Sequence, residues 1–529
     1  MQQTIVTKHR TFNPQVILWG YLLLWFLLNL LFLTDFPLMH SDEAWLSGLS
    51  RHMSAEGRLD VTEPFYDLYE RHPHAIKILY HLFQILFIQI FGYSLFSLRL
   101  LSLLGGVLCL YLMFQLLKSV FHHSRLFYFP LLVVIWMSWD VQFIYAAHTA
   151  RQEIIMLALM LSSLILTLDG KSTAHGALTG CIIGLAAGFH PNAFLIAWPA
   201  GLLLLREMVT RKRSFLSGMA FLLTAAFTAT LFVSLSFHFN PSFVQDYLSY
   251  GEPLGVMDAS DVKILKWPLF YSKIFHQVGG TYYLPDIRWQ FYSLPLFLLF
   301  LPLSSGRKGI IPAGLIGINL GIMILGKYSQ PSVIFLIPFY YLAGAALLVG
   351  MQKISGQLQL LLILILLPLT LLLSAQEIKG ELDPSAESYD EYLEQIRTLV
   401  PEESRVLGSL NLEYYLERGN LYNWRNLAFL PQESKEEEKS PFASYIHSRN
   451  INMIIIPSEI DYVYKNRPSW NALYGNTAHW YPQMEEFLEK NCVLTGSFES
   501  PSYGTRIEAY KNRKPWTVSV YRVISEDSR

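Results

Sequence analysis

The chain of 529 residues is 52% hydrophobic and only 15% charged, with a formal net charge of −1, against roughly 25% charged in ordinary soluble domains. Of its 41 acidic and 40 basic residues, 24 and 17 fall in the last 154 positions, so the first 375 residues are too poor in charge for a water-facing surface and suit a lipid-facing one. A single soluble globule, a disordered or fibrous chain and a disulfide scaffold are excluded, and no basic block interleaved with aromatics points to nucleic acid.

Lys8, His9 and Arg10 precede an apolar run from Val16 to Leu33. It is too long for the core of a cleavable signal, and no small-residue cleavage site follows, so it reads as a first membrane helix starting in the cytoplasm. About 20 apolar residues cross a bilayer, which predicts spans near 15–35, 98–117, 126–141, 154–169, 173–189, 192–206, 214–236, 289–305, 309–325, 331–349 and 357–375. The stretch Ala75–Phe91 decides the topology. If it crosses, Arg206, Arg211, Lys212 and Arg213 fall outside; if it lies in the interface, those residues and the basic loops at 118–125, 307–308 and 353 all fall inside. Basic short loops stay in the cytoplasm. The expected architecture is therefore a polytopic α-helical membrane protein of eleven crossings plus a juxtamembrane helix, residues 1–375, followed by an extracytoplasmic α/β domain, residues 376–529. The same parity puts 36–97, the turn near 142–153 and the loop 237–288 outside.

The tail alternates strand-like runs (Val406–Leu410, Met453–Pro457, Val493–Phe498, Thr505–Tyr510) with helical ones (Tyr389–Leu399, Pro441–Ser448, Met484–Lys490), as a small α/β domain does. The acidic run Glu433–Lys439 reads as a solvated loop. Cys109, Cys181 and Cys492 show no CxxC spacing and no evident pairing.

Ionisable residues at a membrane face are costly unless paired, solvated or used, so each is a functional candidate. Three clusters share the outer face: His40-Ser41-Asp42-Glu43, Glu70-Arg71-His72-Pro73-His74, and His148-Thr149-Ala150-Arg151-Gln152-Glu153. A fourth, Lys327-Tyr328-Ser329-Gln330, lies between two late spans. Carboxylates there can deprotonate a hydroxyl or hold a divalent ion; Arg, Lys and His can bind a lipid phosphate and stabilise it as it leaves. Against this stand plainer readings: Asp42 as a helix cap, Arg151 and Glu153 as an interfacial ion pair, Lys327 as a snorkelling side chain. His190-Pro191-Asn192 reads as a helix break. The loop aromatics Trp267, Tyr271, Tyr282, Tyr283 and Trp289, with Asp258, Asp261 and Asp286, read first as interface anchors.

The stretches MHSDEAWLSGLSRHM, YERHPHAIKILYHLFQILFIQIFGYSLFSLRLLS, YAAHTARQEIIML and GKYSQPSVIFLIPFYYLAGA, in that order, resemble the polyprenyl-phosphate-dependent membrane glycosyltransferases of the GT-C class. The likeness is to the protein O-mannosyltransferase and lipid A aminoarabinose transferase branch. It implies Asp42 as general base on the acceptor, Glu43 and Glu153 orienting substrate or a metal, and Arg71, His72 and Arg151 on the donor phosphate, with Lys327 in the late block. Asp42 and Glu153 could hold a divalent cation. Where the family often has Lys-Pro-Pro, this chain has Arg71-His72-Pro73-His74, and Glu153 stands where Asp is common.

The expected function is transfer of a sugar from a polyprenyl phosphate to a lipid, protein or polysaccharide acceptor outside the cytoplasm, in a multi-pass protein of a bacterial inner membrane, by displacement without a covalent enzyme intermediate. The alternative is a transporter or flippase of a lipid-linked saccharide. Transporters tend to carry paired repeats and midplane charges. Neither is visible in this sequence.

Overall fold

The computed structural model describes residues 13–69, 71–121, 128–249, 267–276, 285–325, 330–382, 387–431, 440–506 and 514–524. A helix falls on each expected span. Four helices are long and apolar enough to cross a bilayer on their own: Leu95–Val120, Phe215–Phe239, Pro331–Ile354 and Gly356–Gly380. Two of these are mostly surrounded by protein, Leu95–Val120 and Pro331–Ile354, whereas the other two turn most of their surface outward. That outward surface is leucine and phenylalanine (Leu222, Leu223, Phe227, Leu360, Leu361, Leu364), as a lipid-facing helix requires.

The first elements position the candidate site. Helix α1 (Pro14–Leu30) starts with Pro14 behind the Asn13 cap. Helix α2 (Ser41–Glu56) opens with a capping box between His40 and Glu43 and stops at Gly57, whose φ of 65° only glycine adopts freely. Helix α3 (Ile78–Phe91) covers the stretch expected to lie in the interface; Leu82, Phe83, Leu86 and Ile90 are exposed, and Tyr80, His81 and Gln84 are buried. Helix α4 (Leu95–Val120) follows Ser94 as cap.

Helices α5 (Phe129–Ser138) and α6 (Val141–His148) meet at 68°. The bend has an identifiable cause. Asp140 caps α6 through Gln142 and is buried, its other oxygen accepting hydrogen bonds from Tyr341 at 2.6 Å and Gln290 at 2.9 Å. The turn expected at 142–153 is thus largely helix, because Val141–Ala147 is apolar enough to pack on α4. Helix α7 (Glu153–Asp169) begins directly after the short turn that follows.

Close approach of backbones fastens the next helices. A Cβ at Gly176 or Gly180 would sit 2.2 Å from the carbonyl oxygen of Ser217 or Phe221. Helix Thr173–Ala186 therefore lies directly on Phe215–Phe239, the small-residue packing that membrane helices use in place of a hydrophobic drive.

The tail carries a five-stranded sheet in the order β2-β1-β3-β5-β4, built from β1 (Val406–Gly408), β2 (Leu421–Asn423), β3 (Met453–Pro457), β4 (Cys492–Ser500) and β5 (Trp516–Val523). β1 pairs in parallel with β2 and β3; β5 runs antiparallel to β3 and β4. Helices Tyr389–Leu399, Pro441–Ser448 and Thr477–Asn491 agree with the expected ones. The expected strand Thr505–Tyr510 does not form at its start. The N–H groups of Thr505 and Arg506 go to the carboxylate of Glu459 instead of to a neighbouring strand, and the sheet is completed by β5. Residues 507–510 of that run, and Glu433–Lys439, lie outside the described residues.

The tail is seated on the first loop. Leu38, Met39, Ala44, Phe65 and Tyr66 share one apolar cluster with Tyr389, Tyr392, Leu410, Leu412 and Val518. Backbone bonds continue the contact, Asn423 N–H to Phe65 O at 3.1 Å and Leu68 N–H to Asn426 Oδ1 at 2.9 Å. Arg51 donates to the carbonyls of Glu413 and Leu416, and Asp67 accepts from Asn426, Tyr445 and Arg449.

Candidate active site

The ends of α1, α4 and α6 and the start of α2 meet at one buried carboxylate. Glu43 accepts from Arg99 Nε at 2.9 Å and Nη2 at 2.8 Å, from the N–H of Ala150 at 2.7 Å and from the N–H of His40 at 3.0 Å. Arg99 also donates to the carbonyls of Leu33, Thr34 and Pro37. The expected role of Glu43 in orienting substrate is corrected by this geometry. Its side chain is fully buried and its oxygens are engaged, so it ties the first and second loops to α4. Breaking such a buried pair typically costs about 3–5 kcal/mol. His148 adds a second tie, with Nδ1 at 2.9 Å from Phe36 O and Nε2 at 3.0 Å from Asn29 Oδ1.

This scaffold presents Asp42 next door. The cap of α2 is His40, whose Nδ1 accepts the N–H of Asp42 at 3.0 Å; Asp42 itself is not the cap. Burial holds His40 down at about 4, against the upward pull of Asp42, so its ring is neutral and able to accept. The Asp42 side chain is 31% exposed, and its Oδ2 lies 2.5 Å from Arg151 Nη1. Arg151 in turn reaches Glu153, in the first turn of α7, with Nη2 to Oε1 at 2.8 Å. Asp42, Arg151 and Glu153 are therefore one continuous chain of charges. Arg151 and Glu153 line a cavity of about 410 Å³ with Gln142, Tyr145, Thr149 and Ile334.

A cation that sequence reasoning passed over stands beside them. Lys77 precedes α3 with φ of 89°, a left-handed conformation costly for a side chain of its type and one that persists only where surroundings impose it. Burial pulls it down to about 8, with Arg151 and Arg71 pulling the same way and Asp42 and Glu63 opposing. Charges of both clusters, Asp42 and Arg151 from one side and Glu63 and Arg71 from the other, act on it. The signal was present in the sequence, a lone lysine opening an apolar run, but proximity to Arg151 needs the fold.

The other expected residues are dispersed. Arg71 is nearly buried, paired with Glu63 at 3.0 Å and 5.3 Å from the ring of Trp45. His72 turns to Asp246 at 3.7 Å and is half-exposed, so the structure does not bring it to Arg151. Lys327, with Tyr328 and Ser329, lies outside the described residues, as do Glu70, Asp258, Asp261, Tyr282 and Tyr283. Trp267 and Tyr271 both donate to Asn319 Oδ1, at 3.0 and 2.7 Å. For a divalent ion, Asp42 and Glu153 are a poor pair because a guanidinium occupies the space between them. Among the described residues no three His, Cys, Asp or Glu side chains converge as a metal site. The donor set does not fit a bound cation.

A second cavity, about 520 Å³, opens from the same place toward the tail. Pro37, His40, Ser41, Tyr145 and Thr149 form one wall; Asn411, Tyr503, Thr505 and Arg506 form the other. Tyr145 and Thr149 belong to both cavities. The arrangement is a polar vestibule under the tail joined to a less polar recess lined by Arg151 and Glu153.

No protein-family model matches the sequence, and no curated protein does. Solved structures do match the fold. ArnT from Cupriavidus metallidurans bound to undecaprenyl phosphate is similar at a TM-score of 0.57 and 13% identity over 97% of this chain and 98% of that one. The same protein in the apo state gives 0.53 and 12% over 96% and 97%. Apolar helices and tail together, this chain has the fold of ArnT.

Proposed function

We propose that the chain is a membrane glycosyltransferase that moves a sugar from a polyprenyl phosphate to an acceptor on the outer face of the membrane. The observation that carries the reading is the Asp42–Arg151–Glu153 chain, whose Arg151 and Glu153 line a recess that shares Tyr145 and Thr149 with the vestibule, with Lys77 in the field of Asp42 and Arg151. The fold shared with a protein crystallised with undecaprenyl phosphate supports the donor class. In the reaction, the acceptor oxygen forms a bond to the anomeric carbon while the bond from that carbon to the phosphate oxygen breaks. The electron pair leaves with the phosphate and the acceptor proton passes to Asp42. Arg151 holds Asp42 in place, and Lys77 supplies charge to the departing phosphate, where fixed cations are most effective. The polar vestibule receives the acceptor, and the apolar helix faces receive the lipid.

The test is reconstitution of the purified chain with a radiolabelled polyprenyl-phosphate sugar and a crude outer-face lipid and glycan extract. Consumption of donor with label appearing in a new product is the expected result. Movement of label across the bilayer without consumption would replace the transferase by a transporter.

A further inference from the structure

Beyond the transfer site, one point in the seam between tail and first loop brings two guanidiniums to one indole ring, with Glu63 as the carboxylate there among the described residues. Trp45 stands at its centre. The guanidinium of Arg71 lies 5.3 Å from the Trp45 ring, and that of Arg425, from the tail, lies 5.4 Å from it. The ring of Tyr66 packs edge-on at 5.1 Å. Glu63 is the carboxylate here, and it already accepts from Trp45 Nε1 at 2.6 Å and Arg71 at 3.0 Å.

Arg425 is 7% exposed, and neither Nε nor Nη2 has an acceptor among the described residues. The hydroxyl of Tyr66, 4% exposed, also has no partner among them. Buried guanidinium N–H groups left without acceptors are unfavourable, so such a placement is retained where something else supplies the oxygens. The placement is also rigid. Arg425 N–H is held by Asn423 Oδ1 at 3.0 Å, and Gly475, with φ of 76°, packs so closely that a Cβ there would lie 2.7 Å from Arg425 Cα. Arg425, Arg71 and Arg506 all act on the Tyr66 phenol electrostatically. Arg506 lines the vestibule with His40, which links this cluster to the transfer site.

We infer that Arg425 and Tyr66, flanked by Arg506 and Arg71, form an oxyanion subsite that takes a phosphate group. A planar guanidinium fork with a phenolic donor beside it suits the several oxygens of a phosphoryl group. The group recognised is an anchoring phosphate of the acceptor, separate from the phosphate that leaves with the polyprenyl chain. The inference rests on the transferase reading only for what the phosphate is attached to; the subsite itself rests on the unpartnered groups.

The experiment titrates inorganic phosphate into the full chain in detergent micelles, alongside Arg425→Gln, Arg425→Lys, Tyr66→Phe and Lys77→Met. Two binding steps are expected. Arg425→Gln should weaken one by on the order of tenfold, the usual scale for removing a charge-assisted pair, and Arg425→Lys should restore part of it. Lys77→Met should affect only the other step. If Arg425→Gln does not fold, Tyr66→Phe carries the comparison, with a smaller weakening of the same step. An isotherm unchanged in both variants overturns the subsite. Short-chain phosphatidic acid identifies the source: tighter binding than inorganic phosphate means a lipid-borne group, equal binding a soluble one. Phosphate binding that depends on Arg425 without sugar transfer to any acceptor would keep the subsite and remove the transferase.

Discussion

Arg151 restrains Asp42 and Glu153 at once, so neither acid can move without the other two groups responding. A carboxylate clamped in this way keeps its geometry, as a positioned general base requires. Asp42→Asn keeps the size of the side chain and removes its basicity, and because His40 is the helix cap, α2 should be unaffected. Turnover is expected to fall by about 10²–10⁴ with donor binding retained; more than a tenth of wild-type turnover in a steady-state assay would take the role away from Asp42. Lys77→Met should raise the donor KM about tenfold or more, since a ground-state phosphate contact is lost, while His72→Ala, on a residue facing Asp246, should leave it within about twofold. Equal effects of the two in initial-rate measurements would return His72 to the phosphate. Asp42, Arg151 and Glu153 were legible because charges stranded at span ends are conspicuous in an apolar sequence. Glu43 was legible as a charge but not as a tie, because its partner Arg99 is 56 residues away. Arg425 was invisible for a related reason: in a charged tail an arginine carries no signal until its surroundings are known.

Among elements, the bend between α5 and α6 is the least predictable and the most consequential. Hydropathy reads Phe129–Val141 as one span, and nothing in periodicity announces that Asp140 will be satisfied by Tyr341 and Gln290 from helices some 150–200 residues later. The tail shows the same limit. β2 is three residues long and leaves no alternation to read, and β5 was overlooked in favour of the neighbouring run at 505–510. The clasp between α2 and the tail is open to a pH test. Glu413, beside Arg51, is buried and pushed up to about 7 by that burial. The native chain therefore keeps a proton at Glu413 that the unfolded chain has released above its ordinary value of about 4.5. Stability from this group is highest below about 4.5 and falls as pH rises through 4.5 to 7, by on the order of 1–3 kcal/mol. Glu413→Gln should flatten that slope; thermal melts from pH 4.5 to 7.5 with identical slopes in both proteins would show that Glu413 titrates normally.

At the scale of the molecule, the side of the membrane on which the tail lies follows from the eleven-crossing reading and the cytoplasmic basic loops. Glu489 is exposed on helix Thr477–Asn491. A cysteine there should react with an impermeant thiol reagent in intact cells, above the background of the parent chain; labelling only after lysis would mean that Ala75–Phe91 crosses. The layered plan, helices then a sheet domain, was readable because the two parts differ so sharply in charge. Their docking was not, because Phe65 and Tyr66 meet Leu410 and Val518 across some 350 or more residues of chain. That separation bears on how the protein is made. The first loop is among the earliest segments to leave the ribosome, yet the surface that covers it is synthesised last. Long-range contacts of this kind form late in folding. A chain interrupted before the tail would leave Leu38, Met39, Phe65 and Tyr66 uncovered, an apolar patch of the sort that proteases and chaperones recognise, so the first loop is finished only when the last-made part of the polypeptide closes over it.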